Sequence, residues 1–99
     1  MTSPPDSFLD LPVRGFLDQL AARTPTPGGG GAAAVTGAMA AGLVAMAARF
    51  SAKRLPEAGD LADQADKLRL MVAQLADMDA RAYAAVLEAF RLPPEAGQP

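Results

Sequence analysis

The sequence predicts an all-α protein, a helical bundle of one short and two long helices. Ala, Leu, Val and Met supply most of its apolar residues, whereas aromatic residues make up only 5% of the chain. This composition favours helices over sheet. Clusters of proline and glycine divide the chain into three segments, and the apolar residues of the first and third recur at helical spacing.

Length and composition limit the classes of function. A chain of 99 residues forms one domain at most. Its 9 basic and 11 acidic side chains give a net charge of −2, with no basic cluster beyond Lys53 and Arg54. A nucleic-acid partner is therefore not expected. Because the chain has no cysteine and no histidine, acid–base chemistry must use carboxylates, tyrosine or lysine.

A lead-in over residues 1–10, which we expect to be mobile, precedes the first helix. It carries two acidic side chains and no basic one, unlike a secretory signal, so we expect a cytoplasmic protein. The first helix is predicted from about Leu11 to Ala22, with Asp10 as N-cap and Pro12 in the first turn. The residues on its apolar face are Val13, Phe16, Leu17 and Leu20.

The second helix is predicted to begin near Gly30–Gly31 and to end around Ala52 to Leu55. It is apolar almost all round, which is typical of a helix buried on several sides. Its small residues recur every four positions, and such rows allow a second helix to approach closely. The two rows are Gly30, Ala34, Ala38, Gly42 and Ala33, Gly37, Ala41, Ala45.

The uncharged run from Thr24 to Ala48 raises the question of a membrane span. It is longer than the ~20 residues that cross a bilayer. However, Pro25, Pro27 and four consecutive glycines interrupt its first quarter, and Ala and Gly dominate the rest. We therefore expect a helix of a soluble protein, with no membrane contact.

The third helix is predicted from about Asp60, which caps it, to Arg91, and Pro93-Pro94 follow its end. Its apolar stripe advances in steps of four and three residues, as helix packing requires. The stripe consists of Leu61, Ala65, Leu68, Val72, Leu75, Asp79, Ala82, Val86 and Ala89. Asp77 lies on a different face, where its ordinary role would be an exposed ion pair with Arg81.

Asp79 is the carboxylate of this stripe. A carboxylate in such a row is costly unless it accepts hydrogen bonds, is solvated by a cleft or takes up a proton. Two interpretations therefore stay open: a structural partner on a neighbouring helix, and a functional carboxylate.

The second helix needs more cover than one short and one long helix provide. Either the chain pairs with a copy of itself, or further helices complete the bundle. We expect one or both of these arrangements, because the apolar surface would otherwise face water.

The glycine run is open to two interpretations. Gly28 to Ala33 formally fits the dinucleotide-binding pattern G-x-G-x-x-A, but a helix and TPTP precede it where that pattern requires a strand. Glycines at a helix N-terminus leave N–H groups free and allow an anion or a flat ring to approach closely. A tight crossover that merely avoids collisions explains the same glycines.

Two separated segments resemble the cyclodeaminase/cyclohydrolase family of folate enzymes. Residues 21–50, AARTPTPGGGGAAAVTGAMAAGLVAMAARF, are similar to the family's PGGGS segment and the Ala/Gly-rich helix after it. Residues 76–93, ADMDARAYAAVLEAFRLP, resemble its D-x-D-A-x-A-F…LPK segment. By this resemblance residues 11–93 form a partial cyclodeaminase-like domain, about the first half, and residues 94–99 form a tail.

The resemblance implies a homodimer that acts on a tetrahydrofolate derivative as its substrate, without a metal or other cofactor. Members of the family convert 5-formimidoyltetrahydrofolate to 5,10-methenyltetrahydrofolate with loss of ammonia, or hydrolyse the methenyl form. In the first reaction N10 attacks the formimidoyl carbon and ammonia leaves protonated, so a carboxylate must pass a proton. The alternative function is a non-catalytic helical module for self-association or partner binding.

The resemblance also implies particular site residues. Asp79 and Asp77 match the family's two aspartates and would be catalytic, with Asp79 as the acid–base or pterin-anchoring carboxylate. The implied substrate-binding residues are Pro27, Gly28, Gly29, Gly30, Lys53, Arg54, Tyr83 and Arg91. Lys53, Arg54 and Arg91 would either meet the carboxylates of a glutamate tail or be solvated. The chain departs from the family at Gly31, where a serine is usual, and at Pro94, where a lysine is usual.

Overall fold

A computed structural model describes residues 7–91 and shows, within that range, the all-α fold that the sequence predicts. A 3-10 helix at Phe8–Asp10 precedes three α-helices: α1 at Val13–Ala21, α2 at Gly29–Phe50 and α3 at Ala58–Arg91. No strand occurs among the described residues. The first part of the predicted lead-in and the whole predicted tail lie outside them.

Helices α2 and α3 form an antiparallel hairpin. Gly30 at the start of α2 faces Asp79 in the second half of α3, and Gly42 further along faces the earlier Arg69. The buried residues of the two helices are small ones, and Ala34 and Ala45 among them belong to the two predicted rows, whereas Gly30 and Ala33 of those rows are exposed. The buried residues are Gly31, Ala34, Ala45 and Ala48 on α2, and Ala58, Ala62, Ala65 and Ala76 on α3.

The face of α3 that contacts α2 is displaced from the predicted stripe. The two share Ala65, Val72 and Asp79, but the buried positions between them are alanines. Three leucines of the stripe lie beside the contact and are 41%, 54% and 46% exposed: Leu61, Leu68 and Leu75. The glycines and alanines of α2 bring the two helices too close together for leucine side chains to fit between them.

Helix α2 is not buried on several sides, so that prediction is wrong for the single chain. Its α3-facing side is buried, and apolar side chains elsewhere on it are exposed: Met39, Leu43, Val44, Met46 and Phe50. By length and composition α2 could cross a membrane, with a mean hydropathy of 1.7 and 22% of that stretch buried. Core helices of soluble proteins also meet these criteria, and α2 is paired with α3.

The helices begin at different residues than predicted. Pro12, not Asp10, is the N-cap of α1, because Asp10 belongs to the 3-10 helix before it. Helix α3 begins at Ala58, which places Asp60 inside its first turn. Terminal residues depend on local hydrogen bonds, such as that from Leu61 N–H to the Glu57 carbonyl at 3.0 Å, which the apolar pattern does not specify.

Residues 7–10, part of the predicted lead-in, are folded onto the hairpin. Ser7 caps the 3-10 helix, its hydroxyl accepting a hydrogen bond from Leu9 N–H at 3.0 Å. The Phe8 ring packs edge-on against Phe16, with the ring centroids 6.2 Å apart. The N-terminal segment and α1 therefore cover one flank of the hairpin.

Of the predicted apolar face of α1, the structure buries only Phe16. Val13 is 77% exposed and Leu17 is 56% exposed. A nine-residue helix that crosses the edge of a two-helix hairpin has too little surface beneath it to cover its whole apolar face.

An ion pair joins α2 and α3 near the turn between them. Arg49 Nη2 contacts Asp66 Oδ2, and Arg69 Nε lies 3.3 Å from Asp66 Oδ1. The hydrogen bond from the Arg49 guanidinium is the main reason that the pKa of Asp66 is lowered, and Arg69 adds to the effect.

Candidate functional site

The carboxylate of Asp79 lies directly against the backbone of Gly30, in the first turn of α2. A Cβ atom on Gly30 would come within 2.6 Å of Asp79 Cγ and 2.7 Å of Oδ2. A Cβ atom on Gly29, by contrast, would meet no atom within 4 Å. Because glycine has no Cβ, position 30 leaves room for the carboxylate of Asp79. Two motifs that are distant in sequence meet here.

The first turn of α2 gives this contact its electrostatic character. Gly28 is the N-cap and provides no side-chain hydrogen bond, while its carbonyl accepts from Ala32 N–H at 2.9 Å. The N–H groups at the start of a helix have no intrahelical partner and carry partial positive charge. Asp79 thus lies at the positive end of α2, beside a stretch of backbone without side chains.

An open groove between α2 and α3 surrounds Asp79. Its volume is about 570 Å³, within the range of pockets that hold small ligands. Its other walls are apolar or backbone and include Gly30, Ala33, Val72, Leu75, Met78 and Ala82. Asp79 is exposed, so a ligand in the groove would reach its carboxylate. The groove suits a flat ring system held beside one charged group.

Asp77 does not face this groove. Its Oδ1 accepts a hydrogen bond from Phe8 N–H at 2.9 Å, and its Oδ2 accepts one from the Ser7 hydroxyl. The expected ion pair with Arg81 is absent from the described residues. Two positions along a helix correspond to a rotation of about 200°, so Asp77 and Asp79 point to opposite flanks of α3.

Pro27 and Gly31 form the back of the glycine segment. Both are buried, and a Cβ on Gly31 would lie 3.3 Å from Pro27 Cβ. A serine at position 31, usual in the family that the sequence resembles, would require the proline ring to move by a few tenths of an ångström. The glycine at this position therefore fits the close packing of Pro27.

Of the four other predicted binding residues, Tyr83 is a neighbour of Asp79 on α3, whereas the three cations Lys53, Arg54 and Arg91 lie far from it. Tyr83 is one helical turn further along α3 and 45% exposed, and Arg91 pairs with Glu88 at 3.1 Å, about 18 Å along the helix from Asp79. Lys53 and Arg54 follow the far end of α2, about 30 Å from Gly30. The single chain therefore brings the glycines and Asp79 together, but not these cations.

Reasoning from sequence missed Ser7 and Phe8 as partners of Asp77. Ser7 lies 70 residues from Asp77 in the chain, and no periodic pattern links the two. A serine before a short apolar stretch is a common N-cap signal, and Ser7 is the feature of the sequence that indicates a folded segment here.

These features define a class: an all-α hairpin protein whose glycine-lined groove contains a carboxylate. Comparison with known proteins agrees, because the family model described as formiminotransferase-cyclodeaminase matches residues 12–98. The chain belongs to the formiminotransferase-cyclodeaminase family. No solved structure matches it.

Two relatives show how much of the family's length is present. The chain is 41% identical over 88 residues to a methenyltetrahydrofolate cyclohydrolase of Methylorubrum extorquens, a match that covers 82% of this chain and 42% of the relative. It is 35% identical over 100 residues to a formimidoyltransferase-cyclodeaminase of Mus musculus, covering 93% of this chain and 18% of the relative. The chain thus spans less than half the length of either protein.

Proposed function

We propose that this chain contributes the catalytic groove of a folate one-carbon enzyme. The reaction is conversion of 5-formimidoyltetrahydrofolate to 5,10-methenyltetrahydrofolate with release of ammonia, or hydrolysis of the methenyl form. The observation that carries the proposal is the contact of Gly30 with Asp79. This contact brings together the glycine segment and the acidic segment, which contains Asp77 and Asp79, at one groove large enough for a ligand. The names of the relatives support the substrate class.

Asp79 is the proposed proton-transfer group. In the cyclodeamination, the N10–carbon bond forms and N10 loses its proton. The bond from that carbon to the departing nitrogen then breaks, and this nitrogen takes up a proton and leaves as ammonia. In the hydrolysis, water adds to the methenyl carbon and one of its protons is released. The bond from that carbon to one ring nitrogen then breaks, this nitrogen takes up the remaining hydroxyl proton, and the carbon becomes a formyl group. Either reaction requires a group that accepts and returns a proton beside one carbon, which an accessible carboxylate does.

The glycine segment is the proposed binding surface for the pterin ring. Gly28, Gly29 and Gly30 present backbone without side chains, so a flat ring can approach closely beside Asp79. Val72 and Leu75 supply apolar surface on α3. The groove is open on the side away from the hairpin, and we propose that a second copy of the chain closes it in a homodimer.

Ligand-dependent thermal unfolding tests the proposal. The purified chain is heated alone and with tetrahydrofolate, its 5-formimidoyl form and its methenyl form. A ligand at ~100 times its dissociation constant stabilises the native state by ~2.7 kcal/mol, which raises the melting temperature of a domain of this size by several degrees. Ammonia release and loss of the methenyl form then separate the two reactions.

Two variants locate the site in that experiment. Asp79→Asn preserves the size of the side chain and removes its charge, so we expect the folate-dependent shift to fall sharply. Asp63→Asn makes the same change at an exposed carboxylate of α3, and the shift should persist. A well-folded wild-type chain that no folate stabilises would refute the proposal.

A second candidate function, a non-catalytic self-association module, is favoured by the apolar surface beside the groove. Leu68 and Met71 are 54% and 62% exposed, and helical spacing places them on the same flank of α3 as Leu75. In this candidate the flank packs against the same flank of a second copy, which buries the leucines.

Sedimentation at several concentrations tests this second candidate. Leu68→Glu should weaken a dimer that uses this flank. Leu70→Glu is the matched control, because Leu70 is 57% exposed on the other flank of the same helix. A dimer sensitive to Leu68→Glu without any folate-dependent shift supports the module, whereas a monomeric wild-type chain excludes it.

A further inference from the structure

Asp77 anchors the N-terminal segment on the flank of α3 that faces away from the groove. Its carboxylate accepts from Phe8 N–H at 2.9 Å and from the Ser7 hydroxyl, whose oxygen in turn accepts from Leu9 N–H at 3.0 Å. Through these bonds the N–H groups of Phe8 and Leu9, at the start of the 3-10 helix at Phe8–Asp10, both have acceptors. The bonds join the beginning of the described chain to a residue just past the middle of α3.

Apolar burial holds this segment only in part, through the contact of Phe8 with Phe16. The 3-10 helix has no buried residue, and Leu9 is 43% exposed. Beneath the segment lies an open apolar cavity of about 300 Å³ whose lining includes Phe8, Phe16, Val35 and Met39. Since the packing is incomplete, the directional bonds to Asp77 determine where the segment lies.

The anchored segment also lies next to the turn that leads into α2. Ser7, Thr26 and Asp77 line a single cavity of about 380 Å³, together with Arg81. Thr26 directly precedes Pro27 and the glycine segment, whose Gly30 contacts Asp79. The N-terminal segment therefore lines the same cavity as the turn whose continuation forms the wall of the groove.

We propose that Asp77 is a positioning residue that fixes Ser7 and Phe8 on α3 and thereby steadies the turn before the glycine segment. The two aspartates of the acidic segment then have different partners. Asp79 faces the groove, and Asp77 holds the chain that supports the groove from the other flank. The anchoring stands by itself, whereas its effect on folate binding rests on the proposed function.

Amide hydrogen exchange on the ligand-free chain tests the anchoring. In Asp77→Ala the amides of Phe8 and Leu9 should exchange at least several-fold faster, and the Ala32 amide, which donates to the Gly28 carbonyl, should also lose protection. Asp77→Asn should rescue part of the protection at Phe8, because its side-chain oxygen can still accept from that N–H. Asp79→Ala is the control and should leave exchange at Phe8 and Leu9 unchanged.

Ser7 variants separate anchoring from direct action on a substrate. Ser7→Ala should accelerate the same amides. At the Phe8 amide, Ser7→Ala/Asp77→Ala should be no worse than Asp77→Ala, because Asp77→Ala already removes both the acceptor of Phe8 N–H and the Ser7–Asp77 bond. If a folate stabilises the wild type, Ser7→Ala and Asp77→Ala should weaken its binding by similar factors.

Three results would overturn the inference. The first is wild-type exchange at Phe8 in Asp77→Ala, and the second is additive effects on the Phe8 amide in the double variant. The third is loss of folate binding in Asp77→Ala with wild-type binding in Ser7→Ala, which would make Asp77 a substrate contact. If no folate stabilises the wild type, the proposed function fails while the exchange data still decide the anchoring.

Discussion

The carboxylate of Asp79 fills the space that a side chain on Gly30 would need. This contact explains why position 30 is a glycine and why the carboxylate of Asp79 is favoured where it lies. Gly30 is required for the close approach, and Asp79 lies at the positive end of α2, where a carboxylate is favoured. Any change that adds atoms at position 30 must turn Asp79 away from its present place.

Gly30→Ala should therefore weaken folate binding more than it affects stability. A helical glycine replaced by alanine gains about 0.5–1 kcal/mol, while a rotated, poorly placed aspartate costs about 0.5–1.5 kcal/mol. These effects nearly cancel in the free energy of unfolding. The folate-dependent rise in melting temperature should fall sharply, as measured by thermal unfolding with and without ligand.

Gly42→Ala is the matched control for that prediction. A Cβ on Gly42 makes only an ordinary contact, 3.5 Å from Arg69 Cδ, and Gly42 does not line the groove, so this variant should bind folate as the wild type does. Equal ligand-dependent shifts in the two variants would show that the placement of Asp79 beside Gly30 does not matter for binding.

The glycines further along α2 should respond differently to alanine. A Cβ on Gly42 would lie 3.5 Å from Arg69 Cδ, an ordinary contact, whereas one on Gly37 would lie 3.1 Å from Val72 Cγ1. Urea unfolding should show Gly42→Ala stabilised by about 0.5–1 kcal/mol. Gly37→Ala should be less stable than Gly42→Ala by about 1 kcal/mol.

The Val72→Ala background tests the cause of that difference. It removes the methyl group that Gly37→Ala would meet, so Gly37→Ala should become more favourable there than in the wild-type background. Additive free energies in this double-mutant cycle would mean that Val72 is not the obstacle.

The close packing of α2 on α3 should make buried alanines intolerant of larger side chains. Ala76 is 1% exposed in this contact, so Ala76→Leu should lower the free energy of unfolding by about 1–3 kcal/mol. Ala85 is exposed on the same helix, and Ala85→Leu should change it by less than about 0.5 kcal/mol. Urea denaturation of both variants measures the difference. Similar losses in both would argue against the antiparallel register.

Stability should decrease in acid through Asp66. Its pKa is lowered from 3.8 in the folded chain, chiefly by the Arg49 hydrogen bond, so the folded state binds a proton less readily than the unfolded state. This contribution is present above pH 3.8 and is lost as the pH falls through the lower folded value. Asp66→Asn should therefore show a shallower fall of the urea midpoint on acidification.

Salt and a control variant complete that experiment. The pair is solvent-accessible, so high ionic strength should reduce the difference between Asp66→Asn and the wild type. Asp63→Asn changes another carboxylate of α3, which joins no ion pair within residues 7–91, and should keep the wild-type pH dependence. An identical acid slope in all three proteins would exclude the Arg49–Asp66 pair as its source.

The sequence alone predicts the three helices, the small-residue contact of α2 and the orientation of Asp79 towards that contact. These properties follow from periodicity and side-chain size, which act locally along the chain. The rows of glycine and alanine indicated that a helix would pack closely there, and the three–four spacing through Asp79 indicated that its carboxylate would face that helix.

The contacts between residues that are distant in the chain are seen in the tertiary structure and could not be predicted from the sequence. The partner of Asp77 is Ser7, whose position relative to α3 depends on how the chain folds back rather than on any repeat. The leucines of α3 lie outside the α2 contact because the small residues of α2 set the distance between the helices. Periodicity specifies the face of a helix to within part of a turn, whereas the pairing of distant groups depends on the packing of the whole chain.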